Sequence, residues 1–350
     1  MGKSNFNKML KQILFLVAVF SSVGSFAQVD VNASAGTPLG NYTTLKAAFD
    51  AINAGTHQGI IIIGISANTS ETAPAVLNSS GAGSASYTSV NIAPSVDGVV
   101  ISGATTTGRG LIELKGADNV LINGDNPLTP GTNRNLTITN TASSTTTLTS
   151  VIRIATAATV VSADNISILN CNLIGSATGR NIATATSTSA SENNTFVIYA
   201  GGNGGATATD APAALTSVTT NTAPTGTTLN NLTVSNNTLN AAARAIVFNG
   251  AAAGVSTGVV ISNNLIGDQT NLAGIPPYTT PATTVYTKGI FISGLTSATV
   301  TNNSLKNILS FVGTTMNAIE FNSSIGAGAG VVTVSNNTIT GDVNQGGSIA

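Results

Sequence analysis

The chain has 350 residues with 7% charged side chains, 37 glycines, no tryptophan and a formal net charge of −1. So little charge, with no basic run anywhere, excludes the electrostatic footprint of a nucleic-acid or anionic-membrane binder. Helix formers are scarce beside Thr, Ser, Asn, Ala and Gly, which suits short strands and tight turns, and the recurring Val, Ile, Leu and Phe groups exclude a disordered chain.

Residues 1–27 read as a secretory signal peptide. Lys3, Lys8 and Lys11 form the positive n-region, residues 13–20 the apolar h-region, and Ser25, Phe26 and Ala27 a cleavage site before Gln28. The h-region is too short to span a bilayer, and no later stretch could, so no membrane span is expected after cleavage. No cysteine follows it closely enough for a lipid anchor. The expected location is secreted or cell-surface. Losing the three signal lysines leaves 9 basic and 13 acidic residues, a net of −4. Cys171 is the only cysteine, so no internal disulfide exists and a continuous core must hold the chain.

Residues 28–41 read as an exposed lead-in, and 42–103 as an N-terminal cap with the first coils of a solenoid. Within the cap, YTTLKAAFDAINAG (42–55) is a helix. Leu45, Ala48, Phe49 and Ile52 share one apolar face, Thr43 or Thr44 caps the start, and Gly55 ends it. His57 reads as a solvated turn residue, since a catalytic imidazole would want an orienting partner. GIIIIGIS (59–66) reads as a strand buried on both faces. Residues 90–92 and 99–101 read as further strands.

Residues 104–350 read as stacked coils, because a two-strand unit recurs from Leu111. Its first strand carries Ile112 and Leu114, Ile152 and Ile154, Val197 and Tyr199, Ile246 and Phe248, Ile290 and Ile292, and Ile319 and Phe321 as inward columns. Between them the outward column reads Glu113, Arg153, Ile198, Val247, Phe291 and Glu320. The second strand closes on asparagine, as in NLTVSNN (231–237), GVVISNN (258–264), ATVTNN (298–303) and VVTVSNN (331–337). Neighbouring coils pair in parallel about 4.8 Å apart, so equivalent positions stack. The pairs Asn236 and Asn237, Asn263 and Asn264, Asn302 and Asn303, and Asn336 and Asn337 then form a structural ladder, each inward amide bonding to those above and below.

This pattern, G-I-x-I-S-G followed by V-T-N-N-S-L, resembles the right-handed parallel β-helix repeat of the pectin-lyase-like superfamily over residues 59–341. The segment NYTTLKAAFDAINAG looks like the capping helix that opens many such proteins. The signal peptide ending FAQ, this cap, GSASYTSVNI and the Thr/Asn-rich coils together resemble large secreted or surface proteins of Bacteroidota. That resemblance implies export by the type IX system. The repeat runs up to Ala350 without an end cap or a sorting domain, so further coils of the same chain are expected beyond it.

Enzymes of this superfamily use calcium-binding acidic groups with an Arg or Lys base, or clustered aspartates with Gly-His-Gly and Arg-x-Lys elements. None of these patterns occurs here, and no catalytic residue is assigned. Asp125 with Asp118 supplies too few carboxylates for a calcium shell, so no metal or cofactor is implied. Glu113 beside Arg153 reads as a surface ion pair contributing under about 1 kcal/mol. Cys171, standing where later coils carry Asn, reads as buried and inert.

The stripe Ile198, Val247 and Phe291 is either covered by a loop or offered to a partner, and loop cover is favoured. The long excursions at 176–195, 203–228 and 268–287 could supply that cover. If a contact surface exists, Tyr278 and Tyr286 beside Phe291 are its best candidates, since rings pack on sugar or protein surfaces. The expected function is a non-catalytic secreted or cell-surface β-helix in adhesion or as a structural stalk, with an extracellular polysaccharide or surface partner. The alternative is a polysaccharide lyase or glycoside hydrolase with catalytic residues outside this segment. Ice binding through threonine arrays is weak, because Val260 interrupts the column of Thr233, Thr299 and Thr333.

Overall fold

The computed structural model describes residues 27–143, 146–157, 161–175, 195–203, 207, 209–210, 212–216, 221–252, 254–267, 285–306, 308–309, 317–322 and 330–340. The expected signal peptide lies outside them, except for Ala27. No described helix is long and apolar enough to cross a membrane.

Strands build three sheets, largely parallel, in the repeating order of a β-solenoid. Each coil visits the first, second and third sheet in turn. In the middle of the stack, Ile166–Leu169, Cys171–Ile174 and Thr195–Asn203 are one such set. The next coil lays Thr233–Ser235, Thr238–Asn240 and Ala242–Asn249 on them.

Sequence periodicity explains the core. In the third sheet Ile112, Ile152, Ile198, Ile246, Ile290 and Ile319 stack as direct partners. Leu114, Ile154, Ala200, Phe248, Ile292 and Phe321 stack two residues further on. One coil differs from expectation. Ile198, not Val197, pairs with Ile152, so Tyr199 faces outward and Ile198 packs in the main core. The reason is a corner at the start of each strand. Leu111 and Ile112, Val151 and Ile152, Val197 and Ile198, and Ala245 and Ile246 are consecutive residues that both pack inward. A rule of strict alternation cannot tell which of such a pair starts the column.

The corner between the first and second sheets is built by asparagine. Asn170, Asn236, Asn263, Asn302 and Asn336 adopt the left-handed conformation, with φ between 55° and 57°, which asparagine tolerates better than most residues. The residue after each of them points inward, and in four of the five it is asparagine. Asn237 donates to Asn264 Oδ1 (3.1 Å) and to Ile168 O (2.8 Å). Asn264 donates to Asn303 Oδ1 (3.0 Å) and Val234 O (2.8 Å), and Asn303 to Asn337 Oδ1 (2.9 Å) and Ile261 O (2.9 Å). Each Oδ1 also accepts the backbone N–H of the preceding rung, as from Asn264 N to Asn303 (3.1 Å). A buried primary amide thus has both donors and its acceptor used.

The N-terminal end departs from expectation in three places. Residues 28–41 are not an exposed lead-in. Val29–Gly36 and Leu39–Tyr42 form an antiparallel pair that joins the first sheet along His57–Ile65. The alternation in VDVNASA buries Val29, Val31 and Ala33. The isoleucine run is not buried on both faces, for Ile60 and Ile62 remain about half exposed, at 51% and 52%. His57 is buried rather than solvated, because the strand begins at His57 and not at Gly59. Its Nδ1–H donates to Thr37 O (2.6 Å), and its Nε2 accepts from the Tyr42 hydroxyl (2.7 Å).

The helix α1 (Leu45–Asn53) lays Leu45, Ala48, Phe49 and Ile52 on the end of the core. Thr44 caps it through Ala47 N (3.1 Å). The buried Glu71 carboxylate accepts from Leu45 N (2.9 Å) and Lys46 N (3.0 Å), using two donors that a helix start leaves unpaired.

Asn264→Ala should therefore cost about 2–4 kcal/mol, since it orphans buried groups on both neighbouring rungs. Asn263→Gly, one residue away at a positive φ of 57°, should cost no more than about 0.5 kcal/mol. Urea unfolding followed by circular dichroism compares the two; equal losses would refute the ladder as a stability element.

Candidate functional site: the covered face of the third sheet

The outward column of the third sheet runs Val76, Glu113, Arg153, Tyr199, Val247, Phe291 and Glu320. On an open solenoid face these would be solvated. Instead Glu113, Arg153, Tyr199, Val247 and Phe291 are at most 1% exposed. A second apolar cluster accounts for this, made of Leu148, Phe196, Tyr199, Leu215, Val247 and Phe291. Leu148 and Leu215 come from connecting segments that lie over the sheet.

Hydrogen bonds fasten this cover. Leu215 N donates to Gly108 O (2.9 Å), and Gly108 N to Thr147 O (3.0 Å). Gly108 has φ of +75°, and a Cβ there would fall 2.5 Å from Leu215 N, so the approach requires glycine. The Tyr199 hydroxyl donates to Asn221 O (3.1 Å), and Lys115 Nζ donates to Asp210 O. Phe196 and Tyr199 meet edge to face at 4.9 Å.

The sequence-derived contact residues are distributed differently from expectation. Ile198 belongs to the main core, and Val247 and Phe291 to the covered cluster, so these three offer no surface to a partner. Tyr286 lies in Val285–Ser293, with its side chain outside the described residues, and Tyr278 lies outside them altogether. Tyr199 and Leu215 were missed. Aligning V-I-R-I at 151 with V-I-Y-A at 197 would have found Tyr199, while nothing local marks Leu215.

Two charged groups flank the apolar cluster. At one end Arg109 grips Glu113 with Nε to Oε1 (2.9 Å) and a terminal nitrogen to Oε2 (2.5 Å). Gly110 N donates to the same carboxylate (2.8 Å), and Arg153 Nη1 lies 3.6 Å from Oε1. Glu113 and Arg153 are thus a buried pair within a triad, not the surface pair expected. Hydrogen bonds to the Glu113 carboxylate hold the Arg109 guanidinium above its ordinary pKa, while burial pulls Arg153 below its own. A carboxylate enclosed by two guanidiniums and a backbone N–H is a clamp, with both of its oxygens engaged within the protein.

At the other end Lys288 pairs across the strands with Arg244 on one side and Asn317 on the other. Lys288 Nζ and Asn317 Nδ2 both donate to Glu320 Oε2. The Lys288 ammonium also sits 5.3 Å from the Phe291 ring centroid. Burial, then the positive charge of Arg244, pushes the Lys288 amine down to about 8.

The remaining candidates are structural. Asp118 Oδ1 accepts from Asp164 N (2.7 Å) and Asp125 Oδ1 from Asn133 N (2.7 Å). Among the described residues no three His, Cys, Asp or Glu side chains gather as a metal site would need. Cys171 is fully buried, with its thiol donating to Leu169 O (3.1 Å). Near the N-terminal edge, Asp30, Asn32, Leu39, Asn41 and Ile62 line a shallow open groove of about 330 Å³.

No family model, curated protein or solved structure matches this chain.

Two outcomes follow. Glu113→Ala should cost about 3–5 kcal/mol by setting Arg109 against Arg153 in a buried space, and Glu113→Leu with Arg153→Leu should recover much of that loss; calorimetric melting compares them. Burial pushes the Cys171 thiol from 9.0 up to about 12. Its contribution to stability is present below pH 9.0 and is lost as pH rises past that value, where only the unfolded thiol ionises. Iodoacetamide at pH 8 should label Cys171 only after denaturant is added, and fast labelling of the native protein would contradict its burial.

Proposed function

We propose that this chain is a non-catalytic secreted or cell-surface parallel β-helix, working in adhesion or as a structural stalk. The finer reading of the fold is a right-handed helix similar to the pectin-lyase-like superfamily, from a protein like the large surface proteins of Bacteroidota exported by the type IX system. Three-sheet coils, an inward asparagine ladder and a helix over the first coil support it.

One observation carries the functional reading. On the third sheet Arg109, Glu113 and Arg153 are engaged with one another beneath connecting segments, whereas the outer face of the first sheet presents small uncharged groups along five coils. On the first sheet Ser167, Thr233, Val260, Thr299 and Thr333 stack in register beside Leu169, Ser235, Ser262, Thr301 and Ser335. Ser235 and Ser262 bond hydroxyl to hydroxyl at 3.0 Å. Glycosidic cleavage needs an acid and a base or nucleophile at fixed separation around an open cleft. Repetitive, weakly polar faces on a stiff core suit extended contact with a polysaccharide or cell surface instead. The alternative, a lyase or hydrolase, places its catalytic groups outside this segment.

A deletion strain and an assay on purified protein separate the two readings. Loss of surface attachment with unchanged growth on polysaccharides is the expected phenotype. Release of unsaturated uronate from polygalacturonate with calcium, abolished by heat, would replace the structural reading with the enzymatic one.

A further inference from the structure

We propose that Lys288 and Asn317 join as an intramolecular amide cross-link between neighbouring coils, with Glu320 as the proton carrier. The placement is set by the stack. Lys288 and Asn317 are direct partners on adjacent parallel strands, and Phe291 and Glu320 are partners three residues on. Both side-chain nitrogens converge on one carboxylate oxygen, Glu320 Oε2. The three side chains are each partly buried on the outward face of the third sheet.

Two further observations set this cluster apart from an ordinary ion pair. First, Asn317 Oδ1 is buried and accepts no hydrogen bond from the described residues. The rungs Asn237, Asn264 and Asn303, by contrast, use every amide group, so a ladder role does not account for Asn317. Second, the surroundings favour a neutral amine. Lys288 is partly buried, and the positive charge of Arg244 stands across the neighbouring strand. Passing the ammonium proton to Glu320 turns an ion pair into two neutral groups, which a partly desolvated site favours.

The chemistry balances without a co-reactant. The free Nζ pair attacks Asn317 Cγ, and the carbonyl π pair moves onto Oδ1. Glu320 gives Nδ2 the proton it took from the ammonium, takes one from Nζ in exchange, and passes that proton to the departing ammonia. The Oδ1 pair then re-forms the carbonyl, the Cγ–Nδ2 bond breaks and ammonia departs. One C–N bond forms and one breaks, nothing is oxidised or reduced, and Glu320 returns to its starting state. The carboxylate touches both the attacking and the leaving nitrogen, as this relay requires.

Intact-mass measurement of the denatured full chain tests it. The expected result is a protein lighter than its sequence by one ammonia molecule, with a branched tryptic peptide joining residue 288 to 317. Lys288→Arg, Asn317→Ala and Glu320→Ala should each restore the full mass, and thermal melting should fall in all three. A wild-type protein of unmodified mass after long incubation at pH 8 would overturn the proposal. So would an ammonia loss that persists in Lys288→Arg, because cyclisation of an asparagine to succinimide or of Gln28 at a processed N-terminus would then be its source.

Discussion

The fold depends on polar groups that one coil cannot satisfy by itself. A strand of four residues exposes its backbone donors and acceptors along both edges, and an inward asparagine adds an amide inside an apolar core. The only available partners are the equivalent groups of the next coil, at the spacing of a parallel sheet. Stacking is thus a condition for each coil rather than a consequence of it, and stability accumulates through interfaces between neighbours. The start of the ladder shows the same constraint. Below Asn237 the chain carries Cys171, whose weak donor is met locally by Leu169 O. The backbone N–H of Cys171 still serves Asn237 Oδ1 at 2.8 Å. A thiol ends the row without leaving a strong donor or acceptor unmet, and in the coil before it the equivalent turn departs into the excursion around Asp125.

Burial on the third sheet follows from a different balance. Its outward column carries charge at Glu113 and Arg153 and again at Glu320, with aromatic or aliphatic side chains between them. Solvent would accommodate the ends but not Tyr199, Val247 and Phe291 side by side. Covering them with Leu148 and Leu215 forces the adjoining charges out of water as well, and each must then find a partner. Arg109 and Gly110 serve Glu113, and Glu320 serves Lys288 and Asn317. The charged clusters are therefore coupled to the apolar cover, which is why the few charges on these coils concentrate beside it.

Most of the solenoid is legible in the sequence because its signals are local and repeated. The strand pairs, the capping helix and the asparagine corners each recur or follow a simple period, and stacking turns recurrence into register. The errors fall where a local rule lacks the deciding information. Val197 and Ile198 both pack inward at a corner, so alternation assigned the wrong one. His57 looked solvated because its partners, Thr37 and Tyr42, come from a hairpin that the lead-in reading omitted. Glu113 and Arg153 looked exposed because the segment that hides them lies far along the chain, around Leu215, in a stretch with no period of its own. The cluster at Lys288 could have been found, since K-G-I-F aligned with N-A-I-E sets Lys288 beside Asn317, but only the side-chain geometry brings both onto Glu320.

A covalent bond between Lys288 and Asn317 acts where a stack is most easily lost, at the interface between two coils. In a one-dimensional stack, opening one interface exposes the next pair of strands in turn. The bond closes the loop between the two strands, so a released coil no longer gains the full chain entropy that rewards its release. Hydrophobic stacking and the asparagine ladder hold neighbouring coils through buried contacts, and the same outward face that carries the buried pair of Glu113 and Arg153 adds a bond that needs no apolar area.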